Sequence, residues 1–225
     1  MVNGKNLTKW GAPVLMFVFC DFIYRQHLVK YLLDRDYLVV NFFENSFLNK
    51  TFSFGLLNFV VAVIILLISK FIFKEKLTSI DSSDKISLKK SAIIVVLAVV
   101  LTIIIFYLLT YIIYDVLGSS VNSAAAIYIR DMYMRNKFIY VIFTFFTVTF
   151  EEVVYRKLLF GYLYDLHSGC NRWCNRYIRL ITSLLGSAII FGAIHDGVLS
   201  SGMIYYVVAG ISFTIVYFYT KRISW

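Results

Sequence analysis

The stretch "SAIIVVLAVVLTIIIFYLLTYIIY", Ser91 to Tyr114, decides the fold. It holds no charged side chain, and its few hydroxyls follow no helical stripe. A helix that is apolar on every side has no face for water. A bilayer core about 30 Å thick takes roughly 20 apolar residues in a helix. This segment is therefore predicted to cross a membrane.

Five further candidates lie around it: 10–24, which is short and carries Asp21; "FGLLNFVVAVIILLISKFIF", 54–73; a segment starting near Phe138; 178–196; and "GMIYYVVAGISFTIVYFY", 202–219. The whole chain agrees with them. Of 225 residues 60% are hydrophobic and 16% charged, with a mean hydropathy of +0.77. Soluble domains carry about 25% charged residues. The expected fold is all-α, a polytopic helical membrane protein with about six transmembrane helices. The chain 1–225 reads as one membrane domain. Between the spans, "KEKLTSIDSSDKISLKK" (74–90) is a polar basic loop, and "RDMYMRNK" (130–137) reads as a solvated external loop.

The formal net charge of +9 does not point to nucleic acid, because the basic residues lie between apolar spans. With six alternating spans, 15 of the 22 Lys and Arg residues fall on the side that holds both chain ends. Basic loops stay in the cytoplasm, so both termini are expected there. The start, Lys5 and Lys9 before "GAPVLMFVFC", resembles a signal peptide. No small residue stands just before Cys20 and no small-x-small site follows, so the segment reads as a retained first helix. Three cysteines are too few for a disulfide framework. Cys170, Cys174 and His167 share a polar loop and read as loop residues rather than a metal clip.

The fourth span poses the chemical question. "FIYVIFTFFTVTF" (138–150) runs directly into Glu151 and Glu152. Ionisable groups inside a bilayer are costly and mark function. Positions four apart share a helix face, so Glu152 meets Arg156 and Glu151 aligns with Tyr155. On this local reading Glu152 is neutralised by Arg156, and Glu151 has no positive partner nearby in sequence. A carboxylate in low-dielectric surroundings tends to hold its proton, which suits a general base. The fifth span offers "AIIFGAIHDG" (188–197), with Phe191 and His195 four apart. His195 lies toward the far end of its span and Glu151 nearer the cytosol, so their meeting requires a helix that tilts or breaks. Gly186 and Gly192 would permit that. Asp21 reads as an interfacial acid, and Asp196 is not expected to orient its neighbour His195.

Glu151-Glu152-Val153-Val154-Tyr155-Arg156 on one span and Phe191-Gly192-Ala193-Ile194-His195 on the next resemble the two motifs of the CPBP family of intramembrane proteases. These are the type II CAAX prenyl endopeptidases and their bacterial relatives, some linked to bacteriocin processing and immunity. "RKLLFGYLY" also resembles the segment that follows the first motif. The resemblance covers about 138–225. It implies an intramembrane glutamate-dependent endopeptidase, a peptide hydrolase cleaving a peptide or a membrane-tethered protein. Glu151 would activate a water and His195 would hold or polarise it, with Glu152, Arg156 and Phe191 in support. A metalloendopeptidase-like variant would place zinc on Glu151 and His195, but two ligands fall short of the usual three. The implied setting is a bilayer, expected to be a bacterial cell membrane, where prenylated CAAX tails are less expected as substrates than other peptides; nucleic acid is not expected as a partner.

The family's third motif, a His followed four residues later by Asn, has no counterpart here. No His follows His195, and "YFYTKRISW" resembles the turn before the helix that would carry it. The sequence reads either as a shortened version of a longer protein or as a naturally cut-down one. The second case favours the alternative function, a non-catalytic membrane scaffold of the same family acting in bacteriocin immunity or partner binding. A transporter, with Asp21, Asn58, Lys70 and the glutamates along a path, is the weakest class, because paired broken helices are missing.

Overall fold

A computed structural model describes residues 11, 13–72, 78, 80, 86–118, 123–166, 176–198 and 200–221. Every regular element among them is helical. We number them α1 (13–34), α2 (Ser46–Phe71), α3 (Leu88–Val116), α4 (Ala124–Arg135), α5 (Lys137–Leu166), α6 (Arg176–Asp196) and α7 (Met203–Thr220). Five of them, α2, α3, α5, α6 and α7, are long and apolar enough to cross a membrane. The protein is an all-α polytopic membrane protein.

The burial pattern supports the same conclusion. Val96, Leu97 and Leu101 on α3 are exposed, while Asp21, Asn58, Arg156 and Lys157 are buried. Soluble proteins show the reverse arrangement. In lipid, apolar side chains face outward at no cost, and ionisable groups are driven inward to partners.

The first candidate span, 10–24, begins outside the described residues; its helix continues to residue 34, and five other helices are the ones long and apolar enough to cross among the described residues. One expectation needs correction. The expected external loop "RDMYMRNK" lies largely in α4, whose helix ends only at Arg135. Asn136 then caps α5, its side chain accepting from the backbone N–H groups of Phe138 and Ile139 at 3.0 Å each. Such caps satisfy donors that no helical carbonyl reaches. His167, Cys170 and Cys174 lie outside the described residues.

The chain divides into two compact units, one of residues Met1–Thr78 and Tyr128–Tyr162, the other of Ser79–Ile127 and Leu163–Trp225. In the first unit α2 packs on α5 through aromatic rings. Phe59 stacks on Phe146 with centroids 4.8 Å apart, and Phe54 stacks on Phe143 at 6.2 Å. Asn45 caps α2 by accepting from Phe47 and Leu48 N–H. Asn49, buried one turn further, accepts from Phe42 and Phe43 N–H and donates to the Phe43 carbonyl, tying the incoming segment to the helix. Helix α1 contributes Phe17, edge-on to Tyr155 at 5.6 Å, and Tyr24 against Phe150.

In the second unit α7 lies between α3 and α6. Thr102 of α3 donates to Ser212 of α7 at 2.6 Å while its hydroxyl also contacts the Ala98 carbonyl. Gly210 and Gly192 set the approach of α6 and α7: a Cβ at Gly210 would sit 3.2 Å from the Ala188 backbone, and one at Gly192 only 2.6 Å from Val207. Small residues at such crossings let membrane helices close on one another.

Candidate active site

The acids of α5 sit where its geometry changes. Up to Glu151 the helix is regular; from Glu152 to Phe160 it widens to i→i+5 hydrogen bonding. Helix α1 widens in the same way over Phe19–Val29. Such turns are rare and cluster at functional sites. Here the two widened stretches carry charged side chains into the first unit: Asp21 and Arg25 on one, Glu152, Arg156 and Lys157 on the other, with Glu151 at the junction.

Glu152 behaves as its spacing predicts. Its Oε1 lies 3.2 Å from Arg156 Nε, an i, i+4 pair with the arginine almost wholly buried.

Glu151 does not. The sequence left it without a cation nearby in the chain, and the structure supplies one from 126 residues away. Arg25 Nη1 donates to Glu151 Oε1 at 3.3 Å. The same guanidinium pairs with Asp21 Oδ1 at 2.8 Å through Nη2, which also donates to the Tyr155 hydroxyl at 3.1 Å. Tyr155 in turn donates to Asp21 Oδ1 at 2.9 Å. The faces of Phe150 and Tyr155 both lie 5.9 Å from the guanidinium carbon. Asp21 is thus fully buried and paired, not an interfacial acid. Local spacing hid this cluster because its members come from two helices. The available signal was Asp21 and Arg25 themselves, opposite charges four apart in an apolar helix.

Phe191 and His195 belong to the second unit, on the last turns of α6. Two features of Phe191 hold the imidazole. Its backbone carbonyl lies 2.8 Å from His195 Nδ1, and its ring lies 4.2 Å from the imidazole, centroid to centroid. On the other side Tyr206 of α7 stacks at 4.9 Å with planes 24° apart. A carbonyl only accepts, so Nδ1 carries the proton, and a neutral His195 has its lone pair on Nε2. The Phe-x-x-x-His spacing therefore has a physical meaning: the residue one turn earlier sets both the tautomer and the ring plane. Asp196 accepts from Ser200 Oγ at 2.7 Å, and Ser200 Oγ accepts from Met203 N–H, so this acid shapes the turn into α7. Tyr206 was not anticipated, since a tyrosine among the many on α7 carries no distinguishing pattern.

Among the described residues no three His, Cys, Asp or Glu side chains gather as a metal would require. Glu151 faces a guanidinium, a poor neighbour for a divalent cation. The donor set does not fit a catalytic zinc.

Comparison with known proteins agrees with the motifs. Searches of curated proteins and of solved structures give no match. Residues 134–225 match the family model described as type II CAAX prenyl endopeptidase Rce1-like. Both motifs fall inside that range, so the segment that carries them is similar to the Rce1-like CAAX protease family.

Proposed function

We propose that this protein is an intramembrane endopeptidase in which Glu151 is the general base and His195 holds the attacking water. The observation that carries this reading is a carboxylate set in an apolar spanning helix, inside the segment that matches a protease family. A peptide carbonyl is a poor electrophile, so the water must be sharpened. Glu151 takes one proton of the water, and the Nε2 lone pair of His195 accepts a hydrogen bond from the other. The water oxygen adds to the carbonyl carbon. The proton on Glu151 then passes to the leaving nitrogen as the C–N bond breaks. Glu152 and Arg156 hold the helix frame, and Phe191 holds the imidazole. The substrate is a peptide or membrane-tethered protein. The basic loops favour cytoplasmic termini, and a bacterial cell membrane is the proposed location.

A second reading draws on Arg25. A carboxylate engaged by a guanidinium also suits a purely structural ion pair, as in a non-catalytic scaffold that binds a partner or acts in bacteriocin immunity. One experiment separates the two. The full chain, purified and placed in liposomes, is given a lipid-anchored, internally quenched peptide library. Cleavage is expected from the wild type, with a loss of about 10³-fold in Glu151→Gln and about 10²-fold in His195→Ala, both still folded. Wild-type turnover by Glu151→Gln removes that residue from the chemistry, and a silent wild type leaves the scaffold.

A further inference from the structure

Arg25 stands outside the segment that matches the family, yet it touches the acid on which the proposed chemistry depends. We infer that Arg25 is a positioning residue for Glu151, reaching it from α1; this rests on the reading of Glu151 as the base. Three features of the geometry point to this role. Arg25 is anchored before it meets Glu151: Asp21 and Tyr155 both engage Nη2, at 2.8 and 3.1 Å, while Nη1 is given to Glu151. The planar fork of an arginine makes such a division of labour natural. Both aromatic faces beside it restrict the plane of the guanidinium. Arg25 meets Glu151 at Oε1, at 3.3 Å, longer than the roughly 2.7–2.9 Å of a tight charge-assisted bond. A guanidinium anchored in this way sets where the carboxylate sits.

The anchor is built from the chain's two ends of the first unit. Tyr155 belongs to the variable part of the Glu-Glu-x-x-x-Arg motif, and its hydroxyl is what ties Asp21 and Arg25 to α5. Helix α1 is thereby part of the catalytic apparatus rather than a leading anchor.

The test uses the full chain in liposomes and the same quenched peptides, with kcat and KM measured for Arg25→Met, Arg25→Lys and Tyr155→Phe. Arg25→Met is expected to lower kcat about 10²-fold, the cost of a displaced reacting group, with KM unchanged. Arg25→Lys keeps a cationic donor and is expected to recover about tenfold of that loss, since only the fork geometry is missing. Tyr155→Phe, which removes one hydroxyl and no charge, serves if Arg25→Met does not fold, and is expected to lower kcat about tenfold. With kcat taken per folded molecule, a merely structural Arg25 would leave it unchanged and only lower the folded fraction. A wild type that cleaves while folded Arg25→Met or Tyr155→Phe keeps its kcat overturns this inference alone, as do equal losses in the Lys and Met variants. A silent wild type overturns the base reading and this inference with it.

Discussion

Replacing Glu152 by Gln removes the anion facing a guanidinium that is 1% exposed. At 3.2 Å and an effective dielectric constant of about 20, the gross attraction is about 5 kcal/mol. Much of that is already offset by taking both charges out of water, yet losing one partner of a buried pair costs about 3–5 kcal/mol. The Glu152 side chain keeps 14% exposure, so water softens the loss toward the lower figure, about 3 kcal/mol. Arg156→Met should cost a similar amount by leaving Glu152 as an uncompensated anion. The double variant Glu152→Gln/Arg156→Met should cost less than the two together, by about 2 kcal/mol, because neither charge remains to be satisfied. The measurement is unfolding by sodium dodecyl sulfate from dodecyl maltoside micelles, followed by intrinsic fluorescence. Single-variant costs below about 1 kcal/mol, or additivity within about 0.5 kcal/mol, would show that the pair does not hold the helix. Cleavage per folded molecule should change far less in Glu152→Gln than in Glu151→Gln, which separates the support role from the chemical one.

Two predictions concern the packing around His195. Gly192→Ala puts a methyl 2.6 Å from Val207 and 2.9 Å from the Met203 carbonyl. Overpacking of about 1–3 kcal/mol should outweigh the roughly 1 kcal/mol that alanine gains in a helix, so a stabilised variant in the same unfolding assay would contradict the close crossing. Thr102→Val removes the 2.6 Å bond to Ser212 at constant shape and should cost about 0.6 kcal/mol, up to about 1.7. If Ser212→Ala and Thr102→Val add fully in the double variant, the two hydroxyls do not interact.

The spans were legible because each apolar run is longer than a soluble helix needs; α3, α5, α6 and α7 follow the predicted segments closely, while α2 starts at Ser46 rather than at 54. The motifs were legible because spacing on one helix is a local property: Glu152 meets Arg156 and Phe191 meets His195 as four-residue pairs. Contacts between helices carry no such signature. Arg25 and Glu151 come from separate helices, so no reading of α5 alone could supply the counter-ion. Helix α4 was missed for a related reason. Its sequence mixes Arg130, Asp131 and Arg135 with Tyr128, Met132 and Tyr133, which resembles a wet loop. Yet Met132 is fully buried and Tyr128 shares a 2.7 Å hydrogen bond with Thr51 of α2, so tertiary contact fixes the helix.

The two neighbouring acids differ in how their charge is met, and this difference is the strongest physical argument for giving them separate tasks. On or beside the widened turns of α1 and α5 are three carboxylates, the buried Asp21 and the partly buried Glu151 and Glu152, and three buried cations, Arg25, Arg156 and Lys157. Equal numbers matter in a low-dielectric interior, where an excess charge would cost several kcal/mol. Glu152 meets a cation of its own helix, one turn away, at 3.2 Å. Glu151 instead takes the longer contact of a guanidinium whose 2.8 Å contact goes to Asp21. An acid whose counter-ion is anchored elsewhere can accept a proton while the guanidinium keeps Asp21 as its partner. Of the two, Glu151 therefore fits the proposed task of a general base better, because its counter-ion is held in place by Asp21 whether or not Glu151 carries a proton.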